Sequence, residues 1–191
     1  MAGKAGLRGK GWFTTRGREG DRTLDQQLAG LDILFERVPS KTVLDVGCAE
    51  GLISIELARR GARAVHGLEI VREHVDVANG LRDHLPITFE VADANTYAPR
   101  RVYDIVIMLA LLQKLKDPTA ACKRFAKAAR ELVVLRLPPL HAPTIVDARS
   151  GNKPHDMKAA LESCGFGLIH VEHGTFNEWI GYFERRSWDP L

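Results

Sequence analysis

The stretch Thr42-Val43-Leu44-Asp45-Val46-Gly47-Cys48-Ala49-Glu50-Gly51-Leu52-Ile53-Ser54-Ile55-Glu56-Leu57-Ala58 decides the fold. Thr42 to Val46 is an apolar run rich in β-branched residues, the pattern of a buried strand. Gly47, Ala49 and Gly51 follow at alternating positions. Leu52, Ile53, Ile55, Leu57 and Ala58 then recur at helical spacing, with no Pro or Gly among them. The stretch therefore reads as strand, tight turn, helix. Small residues let the backbone turn sharply and let a ligand come close to it. The helix start adds unpaired N–H groups at the mouth of the turn.

The spacing separates two kinds of nucleotide turn. A dinucleotide turn needs small residues at relative positions one, three and about six, to cradle a pyrophosphate. Here they fall at one, three and five, and Asp45 stands two places before Gly47. That arrangement resembles the first motif of the class I S-adenosylmethionine (SAM)-dependent methyltransferases and disfavours a nicotinamide oxidoreductase. An ordinary strand-turn-helix of an α/β fold is the plain alternative for this stretch taken alone.

Outward from the turn, strand and helix patterns alternate. Gly61 closes the helix that begins at Leu52. A second strand runs from Ala64 to Leu68 and closes on Glu69, and a helix from Ile70 to Leu81 follows. Ile87 to Val91 is the third strand, leading into Ala92-Asp93-Ala94. Val102 to Leu109 is a fourth, almost continuous in apolar residues. A helix is expected over Thr119 to Ala129, and a fifth strand over Leu132 to Leu137. Residues 138–154 are irregular, and long irregular connections usually carry function. A helix from Asp156 to Ser163 and strands near Leu168–His173 and Trp179–Arg185 complete the chain, the last two joined closely enough to be antiparallel. Upstream, Thr23 reads as an N-cap, with one helix carrying Leu24 through Val38 and stopped by Pro39. The expected fold is α/β: a doubly wound, mostly parallel seven-stranded sheet with a C-terminal antiparallel hairpin and helices on both faces. The resemblance covers residues 42–186, and the terminal hairpin is what separates this class of sheet from a dinucleotide-binding one.

Two further acids sit where such a fold binds ligands, beyond the carboxyl ends of the strands. Glu69 lies eighteen residues past Gly51, where a carboxylate can accept from both hydroxyls of a ribose; a surface Glu at a strand end is the plain alternative. Asp93 closes the third strand, which is also a common place for a turn residue. The resemblance implies that Asp93 accepts from an adenine amino group, with Ala92 and Ala94 leaving room for the ring. It implies an indirect role for Asp45, orienting the glycine turn or meeting the methionine ammonium through water. It extends the cofactor set to Gly47, Cys48, Ala49, Gly51, Ile70, Ala94 and Met108, with SAM as cofactor.

The acceptor is less legible. Met108-Leu109-Ala110-Leu111-Leu112-Gln113-Lys114-Leu115-Lys116-Asp117-Pro118 lacks the Asn/Asp-Pro-Pro-aromatic turn that marks methylation of DNA-base amino groups. It resembles the Leu-His-His-Leu-x-Asp-Pro segment of many small-molecule methyltransferases, with Gln113-Lys114 in place of the histidines. Candidate catalytic residues are then Arg136, able to clamp a carboxylate or phosphate, and the loop histidines His141 and His155 as bases near neutral pH.

Composition bounds the rest. The chain has 191 residues, 45% hydrophobic and 27% charged, with a formal charge of +3; this is the make-up of one globular domain. Three dispersed cysteines suit reduced thiols rather than disulfides or a metal site. No apolar run nears the ~20 residues of a membrane span, and no signal-peptide core follows Met1, so a cytoplasmic location is expected. Residues 1–22 hold six Lys/Arg against two acids. This basic arm reads as a solvated tail, a nucleic-acid contact, or, because Trp12-Phe13 sits inside it, a lid over the domain of residues 23–191. The expected function is SAM-dependent transfer of a methyl group to a small molecule, to oxygen ahead of nitrogen. The alternatives are an RNA methyltransferase using the arm and a catalytically silent SAM-binding partner subunit.

Overall fold

The computed structural model describes residues 11–13, 20–139 and 153–186. Its main feature is a seven-stranded sheet built from β3 (Thr42–Val46), β4 (Ala64–Glu69), β5 (Ile87–Val91), β6 (Tyr103–Leu109), β7 (Ala129–Leu137), β8 (Phe166–His173) and β9 (Trp179–Arg185). Across the sheet the order is β5-β4-β3-β6-β7-β9-β8. Every neighbouring pair is parallel except β7–β9 and β8–β9, so β9 alone runs against the rest. The order reverses between β3 and β6, which makes the carboxyl ends of those two strands the switch point where a ligand crevice opens.

The period-2 alternation of the central strands feeds two cores. Val43, Ile105, Ile107, Leu132 and Val134 point to one face. Leu44, Val46, Val106, Met108, Val133 and Leu135 point to the other. The first face is covered by α1 (Leu24–Leu28), α2 (Asp32–Arg37), α3 (Leu52–Arg59) and α4 (Arg72–Leu81), through residues such as Leu34, Leu57 and Val75. On the second lie a 3₁₀ turn (Leu112–Lys114), α5 (Pro118–Ala126) and α6 (Pro154–Glu162), packed through Leu112, Phe125 and Met157. A strand buried on both faces must be largely apolar, and β6 is from Ile105 to Leu109, with Asp104 at its start accepting from Thr42 N and Oγ1. No helix among the described residues is long and apolar enough to cross a membrane.

Several boundaries differ from the sequence reading by one or two residues, among them the starts of α4, β6, α6 and β8, and three further differences have a clear physical reason. The leading helix is two short ones, because Gly30 adopts φ +75° and ends α1. A Cβ there would lie 2.7 Å from Ile180 Cδ1, and Tyr182 Oη donates to Gly30 O at 2.5 Å. Close packing on β9 thus overrides the helical periodicity. α5 starts one residue early, at Pro118, since Asp117 caps it by accepting from Ala120 N at 2.8 Å. It also stops at Ala126, and β7 begins at Ala129, so polar Arg130 and Glu131 are in a strand. Their place is held from outside: Arg185 donates to Arg130 O (3.1 Å) and Ala129 O (2.6 Å), and Lys41 pairs with Glu131 (2.6 Å). In the basic arm, β1 (Gly11–Phe13) and β2 (Gly20–Arg22) form a separate parallel pair.

Candidate active site

The glycine turn closes on the neighbouring strand: Gly47 N and Cys48 N both donate to Leu68 O, at 2.8 and 3.0 Å. Gly51 has φ +75°, and a Cβ on it would meet Phe89 Cζ at 2.5 Å and Ala78 Cβ at 2.9 Å. That position therefore admits only glycine, for both backbone angle and space. Ala49 is also left-handed (φ +48°), as is Ala110 at the end of β6 (φ +56°). Non-glycine residues held this way are strained, and such strain gathers at functional sites. Here both lie at the switch point.

Glu69 is the anchor of this edge. One carboxylate oxygen accepts from Ala49 N (3.0 Å) and the other from Val71 N (2.9 Å), which ties the turn to the start of α4. A carboxylate offers about four lone-pair sites, so capacity remains for two hydroxyls. Ile70 beside it is 57% exposed, a flat apolar surface next to the acid. Asp93 accepts from Asn95 N and Nδ2, both at 2.8 Å, and Asn95 Oδ1 in turn accepts from Lys116 N at 2.9 Å. The loop after β5 is thereby joined to the loop after β6. Ala94 is buried in the second core.

Asp45 is buried and accepts from Ser54 Oγ at 2.6 Å. Burial pushes its carboxyl up to about 7; the Ser54 bond works against this and the charge of Glu69 adds to it. The Cys48 thiol is also pushed up, first by burial and then by the negative charges of Asp45, Glu69 and Glu50. Cys48 is thus a protonated thiol packed at an electronegative turn rather than a nucleophile. Buried Glu50 faces His74 Nε2 across 3.6 Å, under the turn.

Met108, expected at the cofactor, has its side chain fully buried in the second core; only its backbone, paired with Leu135, lies near the edge. Arg136 is 1% exposed and donates to Gln27 Oε1 (3.2 Å), Gln27 O (2.7 Å) and Ala29 O (3.1 Å), so these donors hold α1 onto β7. His155 is an exposed residue of α6, 3.2 Å from Asp156. His141 lies outside the described residues. The structure therefore gathers Asp45, Gly47, Cys48, Ala49, Gly51 and Glu69 at one turn, and of the catalytic candidates among the described residues it buries Arg136 against α1 and leaves His155 on the surface of α6. Sequence reasoning passed over Ser54, Asn95, Lys114 and Arg22. Only the turn-forming Asx spacing of Asp93 and Asn95 carried a local signal. A separate concavity of about 350 Å³ opens beside Lys41, Ile105 and Glu131, at the amino ends of the strands and away from this turn.

Residues 43–132 match the family model of a methyltransferase domain. The chain is 30% identical to the ubiquinone biosynthesis O-methyltransferase of Hahella chejuensis, over 77% of this chain and 72% of that protein. The chain belongs to the class I S-adenosylmethionine-dependent methyltransferases. The enzyme of the same name from Xanthomonas oryzae pv. oryzae is 33% identical, over 82% of this chain and 73% of its own. For other relatives of that name the match spans under half of their length. In fold, the methyltransferase resembles the crystal structure of magnesium protoporphyrin IX methyltransferase from Synechocystis PCC 6803 with bound SAM. The TM-score is 0.65 at 24% identity, over 80% of this chain and 74% of that one.

SAM is the cofactor of this methyltransferase, and the turn fits it on its own chemistry. Sulfonium and ammonium outweigh one carboxylate, so the ligand is a net cation, and the turn presents the carboxyls of Asp45, Glu50 and Glu69. Glu69, Ile70 and Asp93 lie along this carboxyl edge with the turn backbone, and these are the groups that would hold it.

Proposed function

We propose that this methyltransferase transfers the methyl group to an oxygen of a small-molecule acceptor. The observation that carries the reading is the 30–33% identity to O-methyltransferases over 72–73% of their length. When bound, the cofactor supplies an electrophilic methyl on a sulfonium. This chain's residues then have to hold the cofactor, align the acceptor in line and keep water out, and alignment alone contributes a large share of such a rate. The strained Ala110 and the 3₁₀ turn after it stand at the end of β6, next to the glycine turn: a Cβ on Gly47 would touch Leu111 at 3.0 Å. The segment from Ala110 to Lys114 is thus the wall against which the acceptor is aligned. The basic arm is a lid in this reading, and the location is cytoplasmic, in keeping with the charged composition. S-adenosylhomocysteine (SAH) release, measured with pools of phenols and catechols against pools of amines and transfer RNA, tests it. Release with phenolic pools is expected; release only with amines or RNA overturns it, and none from the isolated chain favours a silent partner subunit.

A further inference from the structure

At the corner where β2, α1, β7 and the β8–β9 hairpin meet, the guanidiniums of Arg22 and Arg136 stand around one buried acid. That acid, Glu178, is 3% exposed. One oxygen of Glu178 pairs with Arg22 Nη1 at 2.6 Å, and the other accepts from Phe176 N at 2.8 Å. The Arg22 guanidinium also lies 4.5 Å from the centre of the Phe176 ring, itself 43% exposed. Arg22 is thus held between an acid and an aromatic face while its side chain keeps 27% exposure. A guanidinium has five N–H donors, and the pair with Glu178 uses Nη1.

Arg136 stands behind it with no acid of its own. Its partners are the neutral oxygens of Gln27 and Ala29, and its Nε, buried, has no hydrogen-bond partner among the described residues. A buried charge without a counter-ion is costly. Burial lowers the pKa of Arg136, Glu178 opposes that, and Arg22 adds to it, so the two guanidiniums feel one carboxylate. Lys114 completes the corner. It is open to solvent, and burial lowers its pKa while the charge of Glu69 opposes that and Arg22 adds to it, so its ammonium feels both of those groups. Lys114 thus links this corner to Glu69.

We propose that the methyl acceptor is an oxyanion, a carboxylate or phosphate ester, received by Arg22 with Arg136 and Lys114 flanking it. The proposal deepens the small-molecule reading above and rests on it. Among the described residues Arg22 pairs with Glu178 and Arg136 hydrogen-bonds only neutral oxygens, so two guanidiniums share that carboxylate and an acceptor anion supplies a second. The exposed face of Phe176 beside Arg22 favours an aromatic acceptor.

The test is calorimetry on the full chain saturated with SAH, using benzoate and phenyl phosphate as anionic probes and benzamide as the neutral counterpart of benzoate. Benzoate is expected to bind at least tenfold more tightly than benzamide. Arg22→Gln should weaken benzoate at least tenfold while SAH affinity stays unchanged, which also shows that the variant is folded. Arg22→Lys should fall between the two, and Glu178→Gln should tighten benzoate by removing the competing acid. Lys116→Ala, at an exposed residue two places beyond Lys114, should change nothing. Equal binding of benzoate and benzamide, or an Arg22→Gln variant that binds benzoate as the native chain does, overturns the proposal. Failure of the native chain to bind SAH is a separate result, which removes the methyltransferase reading and the proposal with it.

Discussion

The two halves of the sheet's carboxyl edge are held together differently. On the cofactor side the polar contacts are close in sequence: Asp93 reaches two residues, Asp45 nine and Glu69 twenty. On the other side Arg136 reaches 109 residues to Gln27, Tyr182 152 to Gly30, and Arg22 156 to Glu178. The first set forms when two neighbouring βα units fold. The second exists only once the leading helices dock on the finished sheet, after a large loop-closure cost. The glycine turn is therefore a local device, and the corner around Arg22 and Arg136 is a product of assembly.

The contrast can be broken from either side. Glu69→Ala has the largest expected effect. It removes two hydrogen bonds that shape the turn and those expected with the ribose, at about 1.5–3 kcal/mol for each bond to a charged group. SAH affinity should fall by roughly 3 kcal/mol, on the order of 100-fold, and the urea midpoint should fall as well, because the amides of Ala49 and Val71 lose their acceptor. Unchanged calorimetric affinity would remove Glu69 from the site. Arg136→Met should act on stability alone. It strands the carbonyls of Gln27 and Ala29 at about 1–3 kcal/mol each, partly offset because a buried charge goes too. A loss near 2 kcal/mol in urea unfolding, with SAH affinity kept, is the outcome that matches an assembly contact; loss of SAH binding instead would join the two halves into one unit.

The smallest effect is a pH dependence. With its carboxyl pushed up to about 7, Asp45 is largely protonated in the unliganded chain at pH 6. A folded pKa raised above the unfolded value of about 3.9 means that this group's stabilisation is full below pH ~4 and lost as pH rises through ~7. A cationic ligand favours the ionised form, so SAM binding near neutral pH should release a proton. SAM affinity should rise by roughly tenfold, about 1.4 kcal/mol, between pH 6 and 8, and Asp45→Asn should flatten that rise. Calorimetry in buffers of different ionisation enthalpy measures the proton directly; no proton release in the native chain removes Asp45 as its source.

Legibility in the sequence follows the same division. The third strand, Ile87–Val91, and the last, Trp179–Arg185, have the bounds their alternation and apolar content predict. The turn from Gly47 to Gly51 folds as its small residues require, because a left-handed angle at Gly51 and the closeness of Phe89 leave no other choice. By contrast, Leu24 to Val38 reads as one helix, and nothing near Gly30 in the chain announces Ile180 and Tyr182, which break it. Arg130 and Glu131 read as loop because their partners Arg185 and Lys41 lie 55 and 90 residues away.

Arg136 shows the boundary most sharply. An Arg near the end of an apolar strand can be read from the sequence as a charge waiting for a ligand, and its residue type alone does not say which way its donors face. The sequence by itself determined the α/β order, the switch point, the glycine turn and the acids at the strand ends around it, because periodicity, small-residue spacing and strand-end positions are local properties. Only the tertiary structure decided that Arg136 binds α1, that Met108 turns into the core, and that Arg22 reaches Glu178. Those outcomes depend on which distant backbone groups are brought within hydrogen-bond reach and left dry, and that is set by the docking of whole elements.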